Sequence, residues 1–127
     1  MNQPARCGEP DFWAYLDQLV ATSRIVIEHP KGSADPGHLG DAYPASYGYL
    51  EGTRSMDGEG IDVWVGAGEA GPVQGVVCTV DLARRDSEVK ILLGCSDDEI
   101  VRIVAFHTIG QMRGLLVRRR PGHEAGS

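Results

Sequence analysis

Residues 57–65 read Asp-Gly-Glu-Gly-Ile-Asp-Val-Trp-Val, an acidic turn with two glycines that runs directly into an apolar stretch. The β-branched pattern of Ile61–Val65 is typical of a buried strand. The carboxylates Asp57, Glu59 and Asp62 lie close in sequence, and the glycines let the backbone turn tightly enough for them to converge. Clustered carboxylate oxygens are the ligands that Mg²⁺ and Ca²⁺ take in proteins. A solvated polar hairpin turn is the alternative interpretation.

Short strands are predicted on both sides of this turn, with a helix towards each end of the chain. Pro10 suits the first turn of a helix that reaches about Thr22. The pattern Ser96-x-x-Glu99 is a capping box and predicts a second helix over Ile100–Ile109. The predicted strands are Arg24–Glu28, Tyr43–Tyr49, Ile61–Val65, Val73–Asp81, Glu88–Leu93 and Leu115–Arg119. This order indicates an α+β fold: a small, mostly antiparallel, OB-like β-barrel with an N-terminal and a C-terminal helix.

Length and composition limit the class of protein. A chain of 127 residues suits one domain over residues 1–127, with residues 1–9 and 121–127 expected to be loose tails. The net charge of −6 repels nucleic acid and anionic membranes, so neither is an expected partner. We find no apolar run long enough to span a bilayer and no secretory signal. Three widely spaced cysteines fit free thiols, so the expected location is the cytoplasm.

Two further groups of polar residues flank the acidic turn. Upstream, Tyr43 and Tyr47 lie four residues apart around a proline, and a phenol can donate to a phosphate oxygen without adding charge. Downstream, Glu88 and Lys90 are expected to share one face of a strand, because side chains alternate with period two. An acidic protein that handles an anionic substrate needs bound cations, which the carboxylate cluster could hold.

In order and spacing, these motifs resemble those of the family I soluble inorganic pyrophosphatases. The family elements Ile-Glu-Ile-Pro, Tyr-Pro-x-x-Tyr-Gly-Tyr-Ile, Asp-Gly-Asp-Pro-x-Asp-Val and Asp-x-Lys are similar to residues 27–30, 43–50, 57–63 and 88–90. The resemblance is specific from Tyr43 to Val65 and weaker from Ile25 to about Leu93. It implies Mg²⁺-dependent hydrolysis of inorganic diphosphate to two phosphates by a metal-activated water, with Mn²⁺ as an alternative metal.

The resemblance also implies a role for each matched residue. The implied metal ligands are carboxylates: Asp57, Asp62, Glu88 and Glu28. The implied catalytic residues are Glu59, as the general base, and Asp62. The implied contacts to phosphate oxygens are Tyr43, Tyr47 and Lys90. Because members of the family commonly assemble, a homo-oligomer is also implied, and Trp13 and Trp64 are candidates for either the core or an interface.

The chain departs from the family pattern in several places, and two of them adjoin the matched motifs. The segment between Glu28 and Tyr43 is short and lacks the family's phosphate-binding Lys and Arg, which leaves Lys31 and His38 as its cationic candidates. In the central motif, Glu59 stands where the family has Asp, and the next position is Gly rather than Pro. Two alternatives therefore stay open. The chain could hydrolyse another small phosphorylated substrate, or it could be a non-catalytic module that binds metal or phosphate.

Overall fold

The computed structural model of the chain describes residues 8–34 and 42–120. Two helices are present, α1 (Glu9–Ala21) and α2 (Asp97–Phe106). The six strands are β1 (Ile25–His29), β2 (Ser46–Leu50), β3 (Ile61–Val65), β4 (Gly75–Asp81), β5 (Asp86–Leu93) and β6 (Met112–Arg118). The predicted α+β class is confirmed, with element bounds that differ from the prediction by a few residues. His38 and residues 1–7 and 121–127 of the predicted tails lie outside the described residues, whereas Glu9 is the buried first residue of α1.

One six-stranded sheet organises the molecule, in the order β1-β2-β3-β5-β4-β6. Every neighbouring pair is antiparallel except β3 and β5, which run parallel with Val63 beside Ile91 and Val65 beside Leu93. The prediction of a mostly antiparallel sheet is therefore confirmed. In the part of the chain that the structure describes, β1 and β6 do not pair, so the sheet has a barrel-like order of strands without hydrogen-bonded closure.

A β-bulge shapes the first hairpin. The register between β1 and β2 shifts between Ile27 and His29, so that Glu28 is the extra residue and His29 pairs with Tyr47. Gly48 lies opposite the bulge, and a Cβ there would overlap the carbonyl oxygen of Val26. Only glycine allows the two backbones to approach this closely.

Each face of the sheet buries one helix. Strand residues alternate between the two faces, so Val63 and Ile91 pack with Trp13 of α1, whereas Trp64 and Leu92 pack on the side of α2. A sheet covered on both faces needs apolar residues in continuous runs, as in β3 and β5. Trp13 and Trp64 are both buried inside the chain itself, at 4% and 0% exposure, so the core interpretation of these residues is correct.

The helix ends are defined by local chemistry. At α2 the predicted capping box is confirmed: Ser96 Oγ accepts from the Glu99 backbone N–H at 3.1 Å, and Glu99 Oε1 accepts from the Ser96 N–H at 2.8 Å. At α1 the left-handed Gly8 precedes a proline in the first turn, and Trp13 Nε1 donates to the Glu9 carboxylate at 3.2 Å. Neither described helix is long and apolar enough to cross a membrane.

Candidate functional site

Four polar side chains meet where β2, β3 and β5 lie side by side. The Lys90 ammonium donates to Asp62 Oδ2 and to Glu88 Oε1, each at 2.6 Å, and to the Tyr47 hydroxyl at 2.9 Å. The Tyr47 hydroxyl in turn donates to Asp62 Oδ2 at 2.8 Å. We call Tyr47, Asp62, Glu88 and Lys90 the Lys90 group. The prediction that Glu88 and Lys90 share one face of a strand is confirmed.

The pairing of the strands brings this group together. Tyr49 lies opposite Asp62 across the β2–β3 ladder, so Tyr47, two residues earlier on the same face, is a diagonal neighbour of Asp62. The parallel ladder between β3 and β5 sets Val63 beside Ile91, which places Asp62 next to Lys90. The group therefore continues the α2 side of the core towards one end of the strands.

Burial and charge fix the protonation states of the two donors. Burial alone would lower the pKa of Lys90, but the neighbouring Asp62 and Glu88 carboxylates outweigh it and leave that pKa raised. Burial raises the pKa of the Tyr47 phenol far above its usual range, and the Asp62 charge adds to the effect. Lys90 thus stays an ammonium and Tyr47 stays a neutral phenol, so both remain hydrogen-bond donors at physiological pH.

The acidic turn is closed around the Asp57 carboxylate. Asp57 Oδ1 accepts from Ser55 Oγ at 2.6 Å and from the Glu59 backbone N–H at 2.9 Å, and both bonds lower the pKa of Asp57. The Ser55 N–H donates to the Glu59 carbonyl at 2.7 Å, and Gly58 adopts a positive φ of 86° between them. The predicted tight turn is present, and it leaves Asp57 exposed at its surface.

The carboxyl groups of Asp57 and Glu88 link this turn to the Lys90 group. Their interaction lowers the pKa of Asp57 and helps to raise that of Glu88. Burial is the largest cause of the raised Glu88 pKa; Lys90 opposes it, and the Asp62 charge adds to it. Two interacting carboxyls disfavour each other's charge, and a cation bound beside them would relieve that repulsion.

Two of the implied site residues, Glu59 and Glu28, make no side-chain polar contact with the Lys90 group or with Asp57. Glu59 uses its backbone to hold the turn, while its side chain is exposed and has no hydrogen bond or ion pair with another described residue. Glu28 is exposed in the bulge opposite Gly48, and within the described ranges its side chain likewise makes no polar contact. Of the four implied metal ligands, Asp62 and Glu88 therefore meet at Lys90 and Asp57 interacts with Glu88, whereas Glu28 lies apart.

Aromatic rings pack behind Tyr47. The Tyr47 ring lies 4.4 Å from that of Trp64 and 5.9 Å from that of Tyr43, measured between centroids. Tyr43 is buried and stacks on His29 with centroids 4.5 Å apart and an interplanar angle of 4°. His29 was not singled out by sequence reasoning, because only the bulge register aligns it with Tyr47.

A second histidine also supports this stack. His107 is buried at the end of α2, and its Nε2 accepts from Trp64 Nε1 at 3.1 Å. A lone histidine near the end of a helix is usually a packed or surface residue, so the sequence by itself gives His107 no particular role. The role of His107 follows from its hydrogen bond with Trp64, which lies 43 residues away in the chain. A single sequence does not reveal such a long-range pairing.

Lys31, a cationic candidate from the short segment between Glu28 and Tyr43, contacts another part of the molecule. Lys31 Nζ lies 2.8 Å from Glu99 Oε2 and so ties the end of β1 to the capped start of α2. Both residues line a cavity of about 630 Å³, together with Tyr43, Arg102 and Phe106. Lys31 is thus engaged with α2 and is not part of the Lys90 group.

The carboxylate oxygens of this region suit a hard cation that is held by few protein ligands. Among residues 8–34 and 42–120, no three His, Cys, Asp or Glu side chains are arranged as a metal-binding group. Mg²⁺ usually keeps several waters and binds through one or two carboxylates plus substrate phosphates. The carboxyl groups of Asp57 and Glu88 provide that number of hard oxygen ligands. Asp62 lies on the other side of the Lys90 ammonium, which donates to both Glu88 and Asp62. The residues present therefore fit such an ion.

Comparisons with known proteins agree with the motifs. A family model described as Inorganic Pyrophosphatase matches residues 17–111. A Helicobacter pylori inorganic pyrophosphatase is similar in structure with a TM-score of 0.54 at 17% identity, over 74% of this chain and 81% of that chain. A structure described as an inorganic phosphatase from Anaplasma phagocytophilum gives a TM-score of 0.53 at 18% identity, with the same coverage. A comparison with curated protein sequences finds no match.

At such low identity the two structural likenesses establish the fold alone. The match to the family model supports more than the fold. Residues 17–111 include every strand of the Lys90 group, the acidic turn and all of α2. Since that match extends over most of the 127 residues, the chain belongs to the inorganic pyrophosphatase family.

Proposed function

We propose that the protein hydrolyses inorganic diphosphate to two phosphates in a reducing cytoplasm, with Mg²⁺, or Mn²⁺ in its place. The observation that carries this proposal is the Lys90 ammonium, held 2.6 Å from carboxylates of two different strands beside the Asp57 turn. The family to which the chain belongs supports the substrate. Free thiols at Cys78 and Cys95 are compatible with the proposed compartment.

In this proposal the Lys90 group binds the substrate. Lys90 and Tyr47 release part of their bonding to Asp62 and donate instead to phosphate oxygens, where a fixed ammonium and phenol stabilise the charge that develops during the reaction. Tyr47 is suited to this role because its raised pKa keeps the hydroxyl proton in place. Tyr43 is the third proposed phosphate contact, and its ring also supports that of Tyr47.

The carboxylates take the complementary role. Asp57, Asp62 and Glu88 are the proposed metal ligands, with Glu28 as an outer one, and a bound Mg²⁺ would lower the pKa of a water and neutralise phosphoryl charge. Glu59, two residues after Asp57 in the turn, is the proposed general base, and Asp62 is the second proposed catalytic residue. Water adds to one phosphorus, the bond from that phosphorus to the bridging oxygen breaks, and the proton of the water passes to the Glu59 carboxylate.

Phosphate release from diphosphate tests the proposal. Purified protein should release phosphate at a rate that rises with Mg²⁺ concentration, and Asp57→Asn should lower that rate by roughly 100-fold because a ligand charge is lost. Glu51→Gln, an exposed carboxylate outside the turn, is the matched control and should keep the wild-type rate. Equal release from the wild type and Asp57→Asn would exclude this site.

A non-catalytic module that binds metal or phosphate is the second candidate. It is favoured by the exposed Glu59 side chain, which nothing in the described residues orients, and by the neutralisation of Asp62 and Glu88 by Lys90. Calorimetric titration with Mg²⁺ and diphosphate separates the two candidates. Binding of both without phosphate release would support the module and exclude the enzyme.

A further inference from the structure

A hydrogen bond between two buried side chains connects the end of α2 to the sheet. His107 Nε2 accepts from Trp64 Nε1 at 3.1 Å, and the two residues are only 5% and 0% exposed. An indole N–H can only donate, so Nε2 carries a lone pair, and His107 is neutral with its proton on Nδ1. The bond therefore fixes the orientation of the indole and requires an acceptor at position 107.

Trp64 in turn packs against the side chain that holds the proposed phosphate contact. Tyr47 lies directly opposite Trp64 across the β2–β3 ladder, so both side chains lie on the α2 side of the sheet. The Tyr47 ring lies 4.4 Å from that of Trp64 between centroids. A phenol hydroxyl extends rigidly from its ring, so the packing of the ring decides which atoms the hydroxyl can reach. Here it reaches Asp62 at 2.8 Å and Lys90 at 2.9 Å.

The position of His107 is set by the backbones of α2 and β6. The His107 N–H donates to the Ile103 carbonyl at 3.1 Å at the end of α2. Gly114 of β6 lies against the same residue, because a Cβ added there would meet the His107 Cβ at 3.1 Å. The Gly114 N–H also donates to Thr108 Oγ1 at 3.2 Å, which ties β6 to the residue after His107. His107 is therefore presented to Trp64 from a fixed backbone, with glycine providing the room.

We propose that His107 is a positioning residue for diphosphate hydrolysis: through Trp64 it orients the Tyr47 hydroxyl towards the substrate phosphate. This role rests on the proposed function, in which Tyr47 donates to a phosphate oxygen. Without an acceptor at position 107, the buried Trp64 N–H loses its partner, which favours another orientation of the indole. The Tyr47 ring then loses the surface on which it packs, and a displacement of its hydroxyl by about 1 Å is enough to lower the rate.

A double-mutant cycle on diphosphate hydrolysis tests the proposal. His107→Leu, which removes the acceptor, should lower kcat/KM by roughly tenfold, and His107→Gln, which keeps an acceptor, should restore most of it. In a Tyr47→Phe background, where the hydroxyl is already absent, His107→Leu should change kcat/KM by less than about twofold. Glu9→Leu is the matched control, because it removes the acceptor of the Trp13 indole on the α1 side of the sheet. It should lower stability and keep the wild-type rate.

The cycle separates positioning from a general loss of folded protein. Such a loss would lower activity equally in both backgrounds, so equal tenfold losses would overturn the proposal. Equal losses for His107→Leu and His107→Gln would also overturn it, because the hydrogen bond would then not be the cause. If His107→Leu fails to fold, Gly114→Ala, which crowds the His107 Cβ, takes its place in the cycle.

Two measurements without turnover separate this role from the proposed hydrolase. The chain has two tryptophans, so its NMR spectrum holds two indole N–H signals, and Trp13→Phe identifies that of Trp64. His107→Leu should move the Trp64 signal and His107→Gln should keep it near the wild-type position; an unmoved signal in His107→Leu would overturn the proposal.

If the wild type hydrolyses no diphosphate, the same cycle is run on the Kd of methylenediphosphonate with Mg²⁺. Coupling between His107 and Tyr47 in that Kd would keep the positioning role and overturn the hydrolase. Additive changes in Kd, or no binding, would overturn the positioning role.

Discussion

The Lys90 ammonium neutralises two carboxylates that approach it from different strands, and its own side chain is only 9% exposed. A buried ion pair of this kind adds little net stability, because desolvation costs offset the attraction. Removing only the lysine is different, since it leaves two negative charges partly buried without a partner. Lys90 therefore has a structural effect that can be measured without any substrate.

We expect Lys90→Met to lower the free energy of unfolding by about 3 kcal/mol at pH 7, the usual cost of breaking a buried pair. Urea denaturation of both proteins measures it. Arg84→Met removes an exposed ion pair with Asp86 and should cost less than about 1 kcal/mol. Similar losses for the two variants would contradict the buried character of the Lys90 pair.

Alkaline pH should lower the folding stability of the wild type through Lys90 and its partner Tyr47. The pKa values of Lys90 and Tyr47 are both raised in the folded state, so both groups favour the protonated form there. Their contribution is fully present below the ordinary values of about 10 and is lost as pH rises towards the folded values. Unfolding followed from pH 8 to 11 should show a steeper fall for the wild type than for Lys90→Met. Parallel curves would contradict this assignment.

The Lys90 group also marks the limit of residue-level prediction. The alternation of side chains along one strand was enough to predict that Glu88 and Lys90 share a face. The sequence did not reveal that Lys90 would also reach Asp62, because that contact depends on which strands pair. It equally gave no reason to connect His107 with Trp64.

At the scale of elements, the β1–β2 hairpin depends on one position without a side chain. Gly48→Ala should cost about 3 kcal/mol or prevent folding, because the added Cβ overlaps the Val26 carbonyl and neither backbone can yield easily. Gly71→Ala is the matched control, since a Cβ there meets nothing within 4 Å. Thermal unfolding compares the two variants. A stable Gly48→Ala protein would contradict the close approach at the bulge.

The second helix depends on its first turn. Ser96→Ala removes the hydroxyl that accepts from the Glu99 N–H, and we expect a loss of about 1 kcal/mol, the usual value of such a cap. Urea denaturation checks it, with Asp98→Asn, an exposed residue of the same turn, as the control. An unchanged midpoint would mean that the partners of Glu99, including Lys31, hold this helix end without the cap.

Elements with strong local signals were predicted well, and those set by tertiary contacts were not. The Ser96–Glu99 pattern identified α2 because a capping box acts within one turn. The strand predicted from Tyr43 instead begins at Ser46, because Tyr43 pairs through its backbone with Ser33 in the preceding segment. The bulge at Glu28 left no signal of its own, so the exposure of that residue could not be foreseen.

At the scale of the whole molecule, ligand binding should appear as stability. With Mg²⁺ at ten times its Kd, folding should gain about 1.4 kcal/mol, which raises Tm by roughly 3–6 °C for a chain of this size. Asp57→Asn should respond much less because it loses a proposed ligand. Thermal unfolding with and without Mg²⁺, at constant ionic strength, measures both. Equal shifts in the two proteins would show that the ion acts elsewhere on this acidic chain.

The parallel ladder between β3 and β5 divides the sheet into two antiparallel halves, β1-β2-β3 and β5-β4-β6. Tyr47, Asp57 and Asp62 belong to the first half, and Glu88 and Lys90 to the second. This boundary pairs Val63 with Ile91, 28 residues away in the chain, so closing it costs loop entropy. The protein acquires its charged centre only when the two halves dock, because Asp62 and Lys90 lie on opposite sides of the boundary. A cation or anion bound across the boundary would therefore hold the two halves of the sheet together.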